Sequence, residues 1–107
     1  MNMIAHGIDL DTPVLRDFCR KWKIRELCVF GSILREDFRP DSDVDFLADF
    51  DDAAEWDMFD HMDMEEELAA IVGRRVDIVS RPAVERSRNR FRKKHILSTA
   101  ETVIAER

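Results

Sequence analysis

VFGSILREDFRPDSDVDFLADF, residues 29–50, decides how this chain is read. It opens on the end of an apolar strand, Glu26 to Phe30, which breaks abruptly at Gly31-Ser32. No long loop fits there, so the chain must turn sharply with its backbone accessible. Free N–H groups beside a hydroxyl make a seat for phosphate oxygens. A brief turn or helix around Ile33 to Asp37 leads into Arg39-Pro40-Asp41-Ser42, whose residue types are those of a turn. Asp43 to Phe50 then alternates with period two. Val44, Phe46, Ala48 and Phe50 share one face, and Asp43, Asp45 and Asp49 share the other with Leu47. This is the pattern of a half-buried strand.

Asp43 and Asp45, at i and i+2, point the same way about 6–7 Å apart along such a strand. Two carboxylates so placed repel unless a cation lies between them, and hard oxygen ligands favour Mg²⁺ or Mn²⁺. Acidic turns produce the same pair, so it does not specify a metal site alone. Ten residues separate Ser32 from Asp43, giving the string GS-x10-DxD. A third carboxylate, Asp77, interrupts an otherwise apolar strand, Arg75 to Val79. It reads as a third ligand, as an outward-facing strand residue, or as a partner of Arg74 or Arg75. Three carboxylates on two strands beside a phosphate seat are the parts of a two-metal phosphoryl or nucleotidyl transfer site.

Outward from this segment, Thr12 and Asp11 offer a capping side chain before Pro13 at a first helical position. Val14, Leu15, Phe18 and Trp22 follow on one helical face. A long helix is expected from about Ala53 to Val72, closed by Gly73. Its second half carries the stripe Met64, Leu68, Ile71 and Val72; Trp56, Phe59 and Met62 are offset from it. Met58, Met62 and Met64 read as core or interface packing. One or two basic helices span Pro82 to Ser98, and Thr102 to Ala105 is a last strand. The order predicts an α/β (α+β) domain, a small mixed sheet of three to four strands flanked by helices.

At 107 residues the chain suits one domain, 1–107, and its 45% hydrophobic and 37% charged residues are those of a folded domain. Cys19 and Cys28 lack the spacing of a zinc finger or disulfide framework and read as small buried residues. His6, His61 and His95 are too scattered for a metal triad. No apolar run spans a bilayer and no leader precedes the domain, so a cytoplasmic protein without membrane attachment is expected. The net charge is -6 and unevenly spread. Residues 36–67 hold fifteen Asp or Glu against one Arg, and residues 81–95 hold seven Arg or Lys against one acid. These are two solvated faces, or a cation-collecting cluster and a segment for an anionic ligand. Direct nucleic-acid binding by Arg86 to Lys94 is disfavoured, because Phe91 is the lone aromatic platform there.

VFGSILREDFRPDSDVDFLADF resembles the signature of the minimal nucleotidyltransferases in the DNA polymerase beta-like superfamily: GS, an Arg three residues on, and a DxD preceded by Ser. RRVDIVS, residues 74–80, resembles the strand of that family's third carboxylate, and NRFRKKHILSTAETVIA, residues 89–105, its closing helix and strand. Glu36 departs from the glycine that follows the Arg in many relatives. The resemblance implies the nucleotidyltransferase fold and catalytic Asp43, Asp45 and Asp77 on two Mg²⁺ ions (Mn²⁺ as a substitute), Asp45 bridging them. It also implies that Asp77 helps deprotonate the attacking hydroxyl. Gly31 and Ser32 would bind the β and γ phosphates of ATP, with Arg35 and Ser42 as further nucleotide-site residues, Ser42 orienting Asp43. In that family a core of this size commonly acts as an antitoxin, moving AMP from ATP onto a tyrosine of an all-helical HEPN toxin in a hetero-oligomer. This chain has no Tyr of its own. The rival expectation is a catalytically inactive, binding-only antitoxin or adaptor whose acidic face masks a basic partner.

Overall fold

Both faces of the central strand are buried: Val44, Phe46 and Ala48 lie in the main core, while Leu47 points into a second, smaller one. The structure, a computed structural model, describes residues 4–5, 8–10, 12–36, 38–39 and 41–105. In chain order these form strands β1 (Ile4–Ala5) and β2 (Ile8–Asp9), helix α1 (Pro13–Lys21) and strand β3 (Ile24–Phe30). A 3₁₀ turn (Gly31–Leu34) follows, then strand β4 (Val44–Phe50), helix α2 (Met58–Val72) and strand β5 (Val76–Ser80). Helices α3 (Arg81–Glu85) and α4 (Arg90–Thr99) and strand β6 (Glu101–Ala105) complete it.

The sheet order is β5-β4-β3-β6, antiparallel except for β4 and β5, which run parallel and are joined through α2. On one face Leu15, Phe18 and Cys19 of α1 and Met64 and Leu68 of α2 pack on Leu27, Val29, Val44, Phe46 and Ile78. On the other face Val84 of α3 and Ile96 of α4 cover Cys28, Phe30 and Leu47. The mixed four-stranded sheet with helices on both sides is the expected α+β architecture.

The local chemistry explains where the elements begin. Thr12 caps α1 by accepting the Leu15 N–H at 3.2 Å, ahead of Pro13. Val14 leaves the predicted stripe and is exposed, and Cys19 takes its place in the core. Helix α2 starts at Met58 rather than near Ala53. Asp57 and Asp60 form a reciprocal capping box there, at 2.8 and 3.2 Å. Ahead of it, the Trp56 indole donates to the Trp22 carbonyl at 2.9 Å, with the two rings edge to face at 5.2 Å. Trp56 is therefore held in an irregular segment, which accounts for its offset from the helical stripe. Of the three methionines only Met64 is core; Met58 and Met62 are exposed. Gly73 ends α2 at φ +75°, in open space, so conformation and not room demands glycine. The paired strands β1 and β2 have no counterpart in the sequence reading, and Cys19 and Cys28 are both buried and in no disulfide. The expectations for His6, Asp11, Asp37 and Pro40 lie outside the described residues. No helix among the described residues is long and apolar enough to cross a membrane.

Candidate active site

The register of the sheet lines up Phe30, Asp45 and Asp77: Phe30 pairs with Asp45 across β3 and β4, and Asp45 with Asp77 across β4 and β5. Paired residues share a face, and Phe30 belongs to the face covered by α4. The two carboxylates are thus side by side on that face of the sheet, and Asp43, two residues before Asp45, enters from the same side. Burial, then the carboxylates of Asp77 and Asp43, push the Asp45 carboxyl above the ordinary value near 3.8, with the Arg92 guanidinium pulling it back. Asp45 therefore feels both neighbouring acids, and the charge of Arg92 acts on it from α4. Arg92 precedes the buried Ile96 by four residues, which puts it on the same side of the helix, at the exposed rim of the site.

At the end of β3 the chain enters the 3₁₀ turn through Gly31 at φ +78°. A Cβ here would lie 2.5 Å from Asp45 Oδ2, so both conformation and close approach call for glycine. The Ser32 hydroxyl donates to the Asp43 carbonyl at 3.4 Å, tying the turn to the acidic strand entry. Glu36 has no positive φ, so it occupies its turn without the freedom of a glycine. A cavity of about 210 Å³ lies between this turn and α4, lined by Gly31, Leu34, Arg35, His95 and Thr99. A second of about 200 Å³, between α3 and α4, is lined in part by Ser87, Arg92 and Lys93. Roomier hollows lie elsewhere, one at the far end of β4 by Trp56 and one between α1 and α2.

Two arginines fix the approach to Asp43. Arg74 donates to the Arg39 and Ser42 carbonyls at 3.0 and 3.1 Å, and Arg75 to the Asp41 carbonyl at 3.1 Å. Arg75 Nε also lies 3.2 Å from Asp43 Oδ1, so the ion pair weighed for Asp77 forms at Asp43 instead. The Ser42 hydroxyl accepts the Arg39 N–H at 3.0 Å and closes the turn; the hydroxyl that touches Asp43 is that of Ser32. Among the described residues no three His, Cys, Asp or Glu side chains converge into a ready-made metal cage. The donor set itself is all oxygen, Asp45 half-buried between the exposed Asp43 and Asp77 whose charges oppose its own, which suits Mg²⁺ or Mn²⁺.

Sequence reasoning assigned no role at this site to Arg92 individually, to His95, or to Glu65, which accepts the Ile78 N–H at 2.8 Å beside Asp77. Arg92 stood within a visible basic run. Nothing in the pattern of α2 marked Glu65, because its partner is a backbone amide thirteen residues away.

The family model for a nucleotidyltransferase domain matches residues 13–102. Protein adenylyltransferase MntA of Thermococcus cleftensis is 34% identical over 70 residues, 65% of this chain and 69% of that protein. Among solved structures, a minimal nucleotidyltransferase is 32% identical at a TM-score of 0.62, covering 82% of this chain and 83% of that one. A complex of a tri-AMPylated HEPN toxin with its MNT antitoxin, from Shewanella oneidensis, has a matching chain at a TM-score of 0.55. That chain is 21% identical, with 86% of this chain and 64% of the other covered, and it speaks to the fold alone.

Proposed function

The chain belongs to the nucleotidyltransferase family, a nucleotidyl-transferring enzyme by that membership, and on this premise we propose that it transfers AMP from ATP to a hydroxyl of a partner protein. The acceptor in this reading is a tyrosine of a HEPN-type toxin, and the transfer makes the chain an antitoxin within a hetero-oligomer. The observation that carries the proposal is the alignment of Asp45 with Asp77 beneath the Gly31 turn. The named relative, a protein adenylyltransferase, supports adenylyl as the transferred group and a protein as its acceptor. A reaction fed by ATP fits a cytoplasmic setting.

Asp43, Asp45 and Asp77 would hold the Mg²⁺ ions. When bound there, Mg²⁺ neutralises the triphosphate and aligns an in-line displacement. Gly31 and Ser32 would offer backbone donors to the β and γ phosphates, the Ser32 hydroxyl turning from the Asp43 carbonyl to join them, with Arg35 beside Gly31 in the adjoining cavity. The acceptor oxygen bonds to the α phosphorus as the bond from that phosphorus to the bridging oxygen breaks. Pyrophosphate carries away the electron pair, and an Asp77 carboxylate oxygen takes the hydroxyl proton. Arg92, whose charge already acts on Asp45, would offset charge on the departing phosphates.

One observation favours a second reading, the binding-only antitoxin: Asp43 is ion-paired to Arg75. The deciding experiment combines the purified chain, a HEPN protein encoded beside it, Mg²⁺ and each nucleoside triphosphate in turn, and weighs the partner by intact-mass spectrometry. We expect the partner to gain one adenylyl group per event with ATP and none in EDTA. The Asp43→Asn, Asp45→Asn double variant should fold and leave the partner unmodified. If the partner is never modified, yet is neutralised by the double variant, the binding-only reading holds.

A further inference from the structure

We propose that Glu65 is a positioning residue: from α2 it fixes the edge strand that brings Asp77 to Asp45. The proposal rests on the transferase reading of that site. Strand β5 is the edge of the sheet, paired on one side only, with β4. On such a strand alternate amides point outward without a strand partner. The Ile78 N–H, next to Asp77, donates to Glu65 Oε2 at 2.8 Å. The same oxygen lies 3.5 Å from His61 Nε2, one helical turn earlier.

Both ends of this link are anchored. Glu65 stands between Met64 and Leu68, each 0% exposed, so the helix that carries it is seated in the main core. Ile78 is 2% exposed in the same core. Asp77, next in the strand, points to the opposite face of the sheet, where Glu65 does not reach. The carboxylate therefore acts through the backbone. It supplies a charge-assisted acceptor where the sheet leaves an amide without a strand partner. Freed from it, β5 is held by one ladder of hydrogen bonds and its own side chains. A small shift of the strand would then part Asp77 from its register partner Asp45 and loosen any cation between them.

Three variants separate positioning from simple stabilisation. Glu65→Gln keeps an acceptor oxygen at the same reach, Glu65→Asp is one methylene short, and Glu65→Leu has no acceptor. Each is measured for exchange of the Ile78 amide by NMR without metal, for Mn²⁺ affinity by calorimetry without nucleotide, and for kcat and KM with ATP. We expect Glu65→Leu and Glu65→Asp to lose Ile78 protection, to bind Mn²⁺ about tenfold more weakly, and to lower kcat with little change in KM. Glu65→Gln should stay within about twofold of wild type on every readout, as retention of the acceptor predicts. Should Glu65→Leu fail to fold, Glu65→Asp carries the same comparison. Folded variants with wild-type Mn²⁺ affinity would overturn the proposal, as would a Glu65→Gln protein as impaired as Glu65→Asp. Wild-type protein that binds Mn²⁺ but transfers nothing would overturn the transferase reading, while a Glu65-dependent Mn²⁺ affinity would still support positioning. Wild-type protein that binds no Mn²⁺ would overturn both.

Discussion

Asp45 shows how much of the site a single residue can report. It is half-buried between two other acids, with Gly31 packed so closely that a methyl group would strike its Oδ2. Its native carboxyl holds its proton above the ordinary carboxylate range because of burial, then Asp77, then Asp43. In the pH window just above the ordinary value of 3.8, the folded protein binds more protons at this position than the unfolded chain. Stability from this residue is therefore present at lower pH and lost as pH rises through the raised native value. Asp45→Asn removes the charged form, so in EDTA the variant should melt above wild type at neutral pH, with the gap closing in acid below the ordinary value. Calorimetric melts across pH check this, and equal melting at neutral pH would mean the acids do not strain the metal-free fold. The spacing that marked Asp43, Asp45 and Asp77 was legible because strand periodicity fixes which side chains share a face. The choice of Arg75 for Asp43 rather than Asp77 was not, since it depends on how Arg74 and Arg75 meet the carbonyls of Arg39, Asp41 and Ser42.

At the scale of elements, strands and helix ends were legible wherever a period or a cap was long enough to repeat. β4 follows its alternation, and α1 follows Thr12 and Pro13. β1 and β2 have two residues each and carry no period to read. The start of α2 was displaced because Trp56 is apolar for tertiary reasons, docked on Trp22, and so imitates a helical stripe position. The true start is chemical: Asp57 and Asp60 satisfy each other's backbone amides. Asp57→Ala should cost about 1 kcal/mol, read by urea unfolding, and should fray the first turn around Met58 and Phe59 while leaving Met64 and Leu68 packed. A loss several times larger would place the loop at residues 51–57 among the elements that the cap also supports.

Across the whole molecule the two faces of the sheet are unequal. α1 and α2 seal a core that includes Phe18, Phe46, Met64 and Leu68, all 2% exposed or less. α3 and α4 rest on a smaller cluster, Cys28, Phe30 and Leu47 meeting Val84 and Ile96. The acidic and basic runs of the sequence were legible as runs. Their meeting was not: it needs the sheet to carry Asp45 to the face on which α4 packs through Ile96, where the charge of Arg92 acts on it. A helix held by few apolar side chains opens locally at lower free energy than the strands beneath it. We therefore expect native-state hydrogen exchange to show α4 amides exchanging well before those of β3 and β4 in the metal-free protein. Ile96→Ala, which removes buried side chain worth about 2–5 kcal/mol, should widen that difference by destabilising α4 more than α2. Addition of Mg²⁺ and ATP should slow α4 exchange, because a bound triphosphate ties Arg92 to the Gly31 turn and links the loosely held helix to the rigid sheet. If nucleotide protects the Gly31 turn but leaves α4 unchanged, the helix serves packing alone, and the phosphates are held entirely from the strand ends.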